Sequence, residues 1–148
     1  MPAVSIRVTS ESSLAELEWA VANIEPLIAG KRCLVLDDEF LIALDIQQIL
    51  ESAGAASVIC VADADAAFAA LNSGAPFDLA VLDLKLSGST RTSETIAAAL
   101  TERGTPFVFL TGMREDGQLK QFPNAPVVEK PYQAPRVLDA VLRALGAR

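Results

Sequence analysis

The sequence predicts an α/β domain in which five parallel strands alternate with helices, a (βα)5 arrangement, preceded by one extra helix. Two observations support this prediction. Short apolar runs, typical of strands buried on both faces, recur along the chain. Between them lie segments whose apolar residues are spaced three and four apart and which mostly end at glycine. Because parallel strands need crossovers, this alternation predicts helices joined right-handedly to one sheet.

The extra helix is predicted over Ser10 to Ala29, before the first strand. It begins either at Ser10 or at a capping box of Ser13 and Glu16, and Gly30 follows its end. Residues 1–30 are therefore assigned to an N-terminal helical extension and residues 31–148 to the domain itself. One apolar stripe runs along the helix: Leu14, Leu17, Val21, Ile24 and Ile28.

This stripe needs a partner, because five such side chains are costly to expose to water. We expect it either to pack on its own domain or to form a homodimer through residues 10–29. The homodimer is the favoured alternative, since symmetric dimers are the commonest oligomers.

The remaining elements follow from the same patterns. Predicted strands are Arg32–Leu36, Ser57–Val61, Asp78–Leu82, Phe107–Leu110 and Ala125–Val128. Predicted helices are Phe40–Ala53, a segment capped by Asp63 and ended at Asn72, Ser93–Arg103, and a last helix with Pro135 in its first turn. The last helix is expected to bury Leu138, Val141, Leu142 and Leu145. The stretch from Met113 to Pro126 is predicted to be irregular, with one short helix at most.

Composition excludes several classes of function. A net charge of −7 argues against nucleic acid or an anionic membrane as the main partner. The absence of histidine excludes Ser-His-Asp catalysis, histidine-rich zinc sites and a phosphohistidine donor. No apolar run is long enough to span a bilayer, and Cys33 and Cys60 are expected to be buried free thiols, so a cytoplasmic location is expected.

Polar residues follow four of the predicted strands: Asp37 with Asp38, Asp83, Thr111, and Lys130. The carboxyl ends of parallel strands lie along one edge of a sheet, so these residues are expected to converge. Each alone has a simpler explanation, since Asp37 or Asp38 could cap a helix and Lys130 could be a solvated charge. Four such strand ends by chance are less plausible than one site.

The chemistry expected of that site is phosphoryl transfer onto a carboxylate. Carboxylates ~5 Å apart repel by ~3 kcal/mol at an effective dielectric of 20, so the cluster needs a cation. Oxygen ligands without histidine or thiolate suit Mg²⁺. A metal ion, the Lys130 ammonium and the Thr111 hydroxyl could together hold phosphoryl oxygens while Asp83 attacks phosphorus in line.

Four ordered motifs resemble the signature of response-regulator receiver domains: Leu36-Asp37-Asp38-Glu39, Leu82-Asp83-Leu84, Leu110-Thr111-Gly112 and Glu129-Lys130-Pro131-Tyr132. The resemblance runs from about Lys31 to the C-terminus and implies a flavodoxin-like fold with Asp83 phosphorylated by a histidine kinase. It also implies Mg²⁺ held by Asp38, Asp83 and the Lys85 carbonyl, with Asp37 in the second shell. By the same resemblance, Thr111 and Lys130 contact the phosphoryl oxygens.

Within that family, the segment from Pro106 to Met113 is similar to the FAT GUY group of stand-alone receivers, which implies kinases of the HWE or HisKA2 type. Leu110 and Arg114 depart from that group's motif. Two further departures concern the switch, in which Thr111 and the residue three before the lysine take part. That residue is Val127 rather than an aromatic, and the segment from Thr111 to Lys130 is short, so the family's usual fourth helix is expected to be reduced or missing. Separately, Ser87 replaces a proline common in the turn after the phosphoacceptor.

The predicted function is a single-domain response regulator of a phosphorelay, paired with a histidine kinase or a histidine phosphotransferase. It would signal by protein binding or drain phosphate from a kinase, and it would catalyse only its own phosphorylation and slow autodephosphorylation. A receiver module of a hybrid histidine kinase is the nearest alternative. A haloacid-dehalogenase-type phosphohydrolase is disfavoured, because Asp83-Leu84-Lys85 lacks the second aspartate of that family's motif.

Overall fold

Five parallel strands form one sheet in the order β2-β1-β3-β4-β5. The computed structural model describes residues 11–84, 92–112 and 120–146. Its strands are β1 (Arg32–Leu36), β2 (Ser57–Val61), β3 (Leu79–Asp83), β4 (Phe107–Thr111) and β5 (Val127–Glu129). This order confirms the predicted flavodoxin-like arrangement. It places the topological switch point, where the carboxyl ends of strands form a crevice, between β1 and β3.

Helices cover both faces of the sheet because the strand residues alternate in direction. The helices are α1 (Glu11–Ile28), α2 (Phe40–Ala53), α3 (Ala64–Leu71), α4 (Ser93–Arg103) and α5 (Ala134–Gly146). Cys33, Val35 and Val81 point into a core shared with α1, α2 and α5. Leu34 and Leu82 point into the second core, with α3 and α4. None of the described helices has the length and apolar character needed to cross a membrane.

Strand and helix ends lie close to the predicted positions. The Asp63 side chain caps α3 as predicted, accepting a 2.7 Å hydrogen bond from the Ala66 amide. Strand β3 runs one residue later than predicted, because Asp83 pairs with Leu110 and extends the ladder. Residues 113–119 of the predicted irregular stretch lie outside the described residues, and residues 120–126 contain neither helix nor strand, as predicted.

The cysteines fulfil only half of their prediction. Cys33 is a buried free thiol in β1, but Cys60 is exposed. The difference follows from strand position, because β1 is covered by strands on both sides whereas β2 forms the edge of the sheet.

Helix α1 packs along α5 and also contacts α2 of its own chain. Its stripe is buried there through Leu17, Ala20, Ile24 and Ile28, while Leu14 remains 43% exposed. Burying Leu17, Ile24 and Ile28 contributes roughly 5–9 kcal/mol before chain entropy is subtracted. The stripe is therefore occupied within the chain, which is the docking alternative, whereas the homodimer through residues 10–29 stays a prediction.

This docking also widens the buried face of α5. Leu138 and Val141 are buried as predicted, whereas Leu142 and Leu145 are only partly buried. Four further residues of α5, outside the predicted stripe, are also buried: Ala134, Val137, Ala140 and Ala144. Helix α5 thus lies between the sheet and α1, an arrangement that its own periodicity does not reveal.

Candidate functional site

The predicted polar residues meet at the carboxyl edge of the sheet. Asp37 follows β1, Asp83 ends β3, Thr111 ends β4 and Lys130 follows β5. Asp37 and Asp83 are 2% exposed and Thr111 is 3% exposed, so three polar side chains are buried at one place. Buried polar groups of this kind require partners or a functional reason.

Lys130 joins the carboxylates directly. Its Nζ lies 3.2 Å from Asp37 Oδ2 and 3.5 Å from Asp83 Oδ2. A third contact, of 3.5 Å, joins Nζ to Glu39 Oε1. The lysine therefore connects the ends of β1 and β3. Along the chain, it lies more than ninety residues after the end of β1 and about fifty residues after the end of β3.

Electrostatics favour the charged lysine. Burial lowers the pKa of Lys130, but the neighbouring Asp83 and Asp37 carboxylates outweigh burial and hold its pKa above the ordinary value. Lys130 is therefore a fixed positive charge at neutral pH, as required of a group that binds an anionic ligand.

The acidic residues form a group that fits a hard cation. One oxygen from each of Asp37, Asp38, Glu39 and Asp83 lies within 4.8 Å of the others. Asp38 and Glu39 reach solvent, while Asp37 and Asp83 are buried. The four side chains offer oxygen donors only, which is the donor set that Mg²⁺ prefers. One lysine offsets only part of their negative charge, so the residues present fit the predicted Mg²⁺.

Backbone hydrogen bonds fix the strand ends that carry these side chains. The Lys130 amide donates to the Thr111 carbonyl at 2.8 Å, and the Leu84 amide donates to the Leu110 carbonyl at 2.9 Å. The Ser93 hydroxyl, at the start of α4, donates to the Asp83 carbonyl. Sequence reasoning missed the Ser93 contact, because nothing in the pattern distinguishes it from an ordinary helix start.

Two other contacts were also missed. The Glu39 amide donates a 2.8 Å hydrogen bond to Asp37 Oδ1, which places the Glu39 side chain beside Lys130. The Tyr132 hydroxyl donates to Asp45 Oδ2 at 2.7 Å, joining the loop after β5 to α2. The signal available for both was their position, directly after the acidic pair and two residues after the lysine.

Some predicted site residues cannot be placed. The Lys85 carbonyl, Ser87 and Arg114 lie outside the described residues. Val127, assigned to the switch, begins β5 opposite Phe109 and packs in the core of α3 and α4. Phe109, opposite Val127, belongs to an aromatic cluster with Phe107 and Phe122, with ring centroids 5.4–5.8 Å apart.

Several solved structures with the same architecture are receivers. A response regulator receiver protein from Sinorhizobium medicae WSM419 is 25% identical, with a TM-score of 0.71 over 80% of this chain and 96% of that one. The BeF3-activated conformation of SdrG from Pseudomonas melonis Fr1 is 33% identical, with a TM-score of 0.64 over 79% of this chain and 98% of that one.

Chemotaxis protein CheY4 of Vibrio cholerae is 23% identical, with a TM-score of 0.68 over 79% of this chain and 100% of that one. At this identity the likeness supports the fold alone. No protein-family model and no curated protein matches the chain. The parallel sheet of order 2-1-3-4-5, the acidic cluster with its lysine, and these relatives lead to one conclusion: the chain belongs to the response-regulator receiver domains.

Proposed function

We propose that this protein is a single-domain response regulator that accepts a phosphoryl group on Asp83 from a histidine kinase or a histidine phosphotransferase. The observation that carries the proposal is the position of Lys130, whose ammonium contacts both Asp37 and Asp83 at the end of the central strands. A buried carboxylate beside a fixed cation is poised to become an acyl phosphate, because the cation can hold the incoming negative charge.

In the proposed step, an Asp83 carboxylate oxygen attacks the phosphorus of a phosphohistidine. A new oxygen–phosphorus bond forms as the nitrogen–phosphorus bond breaks, and the bonding electron pair leaves with the imidazole nitrogen, which takes a proton from solvent. Lys130 and the Thr111 hydroxyl contact the phosphoryl oxygens. Transfer of this type depends mainly on positioning and charge stabilisation, which the strand ends supply.

Asp38 and Asp83 would hold Mg²⁺, with Asp37 orienting its neighbours from the second shell. The ion, when bound, offsets negative charge on the phosphoryl oxygens. Asp37 is suited to the supporting role because it is buried and already accepts hydrogen bonds from Lys130 and from the Glu39 amide. Asp38 reaches solvent and is suited to direct contact with a metal ion.

An apolar surface beside the site supports a protein as the phosphoryl donor. Phe40 and Leu41, at the start of α2, are 75% and 76% exposed, and Leu44, one turn further along the same helix, is 36% exposed. A contiguous exposed apolar patch marks a protein interaction site more often than scattered single apolar residues do. Because Phe40 directly follows Glu39, a protein bound there would bring its histidine close to Asp83.

The test is phosphorylation by acetyl phosphate with Mg²⁺, followed by intact-mass measurement. One phosphoryl group should be added, the bond should be labile in base, and Asp83→Ala should abolish the addition. Asp139→Asn is the matched control, since Asp139 lies on α5 in an exposed pair with Arg143 and should label like the wild type. Labelling that persists in Asp83→Ala would refute the proposal.

A further inference from the structure

Glu39 occupies the N-cap position of α2 without capping it. Its backbone is extended, with φ −91° and ψ 107°, but its side chain accepts no capping hydrogen bond. Its amide is already used by Asp37. The carboxylate instead lies 3.5 Å from Lys130 Nζ while its side chain is 64% exposed. The contribution of this side chain to α2 is therefore small, and its contact with Lys130 needs another explanation.

Three carboxylates surround the Lys130 ammonium. An ammonium group has three N–H donors, and three carboxylates surround Nζ at 3.2–3.5 Å: Asp37, Asp83 and Glu39. A phosphoryl oxygen that contacts Lys130 therefore competes with these carboxylates for the ammonium. Asp37 and Asp83 are buried at the ends of β1 and β3, whereas Glu39 is exposed and can turn into solvent at little cost.

We propose that Glu39 is an internal competitor for Lys130, which holds the lysine until a phosphoryl group displaces it. This inference rests on the proposed phosphorylation of Asp83. Glu39 thereby sets the affinity of the site for phosphoryl-like anions without binding the metal ion. The fold-change expected on its removal is that of one exposed ion pair, about two- to fivefold.

The test uses BeF3⁻ as the probe, with saturating Mg²⁺ and the full chain, and measures its affinity by fluorine NMR. Glu39→Gln should bind BeF3⁻ about two- to fivefold more tightly than the wild type at low ionic strength. The gain should shrink at high salt, because an exposed ion pair is screened. Mg²⁺ affinity, measured by calorimetry without BeF3⁻, should fall by no more than about fivefold, because one nearby negative charge is lost but no metal ligand is removed.

Glu51→Gln is the matched control, because it removes one negative charge from the same helix, where Glu51 accepts a hydrogen bond from Gln47. It should leave BeF3⁻ affinity unchanged. Equal BeF3⁻ affinity in Glu39→Gln and wild type would overturn the inference, as would a large fall in Mg²⁺ affinity, which would make Glu39 a metal ligand. If the wild type itself neither binds BeF3⁻ nor is labelled by acetyl phosphate, the proposed function fails instead.

Discussion

The hydroxyl of Tyr132 donates a 2.7 Å hydrogen bond to Asp45 Oδ2, and so joins the loop that carries Lys130 to the middle of α2. Asp37, Asp38 and Glu39 lie on the loop that leads into α2. The two loops that flank Asp83 are therefore connected at a second point, besides the contacts of the lysine itself. This connection holds Lys130 at a fixed distance from the acidic cluster.

We expect Tyr132→Phe to lower the free energy of unfolding by about 1 kcal/mol, because it removes one hydrogen bond and keeps the ring packing. Phosphorylation by acetyl phosphate should slow as Lys130 becomes less well positioned. Urea unfolding and the labelling rate measure the two effects. Asp45→Asn keeps an acceptor for the Tyr132 hydroxyl, so it should lower the free energy of unfolding and the labelling rate less than Tyr132→Phe does. A Tyr132→Phe protein with wild-type labelling would argue against any positioning by this bond.

Replacement of Lys130 by alanine should have opposite effects on two ligands. Mg²⁺ affinity should rise by about fivefold or more, because the unit positive charge beside the acidic cluster no longer repels the ion. The response to BeF3⁻ should largely disappear, since no ammonium remains to hold the anion. Calorimetry and NMR spectra measure these changes.

Lys31→Ala is the control for the loss of one lysine, because Lys31 precedes β1 at the opposite edge of the sheet. It should leave both affinities unchanged. A Lys130→Ala protein that binds Mg²⁺ more weakly than wild type would contradict the electrostatic account.

Asp37 and Asp38 are adjacent, but their replacement by alanine should affect different properties of the protein. Asp38→Ala should lower Mg²⁺ affinity and labelling with little loss of stability, because Asp38 reaches solvent. Asp37→Ala should lower the free energy of unfolding by about 1–3 kcal/mol, since it leaves the Glu39 amide without its acceptor and removes one of the two buried carboxylates that contact Lys130. Calorimetry and urea unfolding separate the two. Equal Mg²⁺ affinity in wild type and Asp38→Ala would refute its assignment as a ligand.

Stability should decline in mild alkali. Burial raises the pKa of the Cys33 thiol to about 12, with a smaller contribution from Asp78. A group whose pKa is higher in the folded state loses its proton first in the unfolded state, so its stabilising effect is present below the unfolded pKa and is lost as pH rises above it. For Cys33 the loss begins at about pH 8.5 and continues towards pH 12. Lys130 acts in the same direction at higher pH, because its pKa is also raised.

Urea unfolding at a series of pH values from neutral to alkaline tests this dependence. Cys33→Ala should flatten the decline, because it removes the thiol that titrates most differently in the two states. Cys60→Ala should flatten it less, since Cys60 is exposed. An equal slope in all three proteins would show that the buried thiol makes no contribution.

The packing of α1 predicts a contrast between two residues of one stripe. Ile24→Ala should lower the free energy of unfolding by about 2–5 kcal/mol, because the Ile24 side chain of α1 is fully buried in the core that α1 shares with α2 and α5. Leu14→Ala should cost less than about 0.5 kcal/mol, since Leu14 is exposed. Chemical unfolding measures both, and light scattering should give the same mass for each. A dimer that dissociates in Ile24→Ala would instead support an intermolecular role for the stripe.

Most of the site followed from the sequence because strand ends of a parallel sheet share one edge. Asp37, Asp83, Thr111 and Lys130 were placed there by topology alone, without knowledge of any side-chain rotamer. The contacts of Glu39 and Tyr132 could not be predicted in the same way. They depend on the path of the loops after β1 and β5, and hydrophobic periodicity carries no information about loop geometry.

The sequence left the partner of α1 open for a related reason. Its periodicity showed correctly that the helix buries a stripe, but a period cannot name the surface that receives it. The receiving surface is formed by α5 and α2, whose side chains adjoin only after the sheet has assembled. The same limit explains why Val137 and Ala144 of α5 were not expected to be buried.

The pairing of the first described helix with the last has a consequence for how the chain folds. More than a hundred residues separate Ile28 from Ala134, so α1 and α5 meet across most of the chain. Closing so long a loop is slow, and during synthesis α1 leaves the ribosome well before its partner does. Until α5 emerges, Leu17, Ile24 and Ile28 lack the α5 side chains that form most of the surface covering them in the folded protein. Nascent chains that stall before residue 134 therefore expose the apolar stripe of α1, and chaperones that bind apolar segments should recognise it.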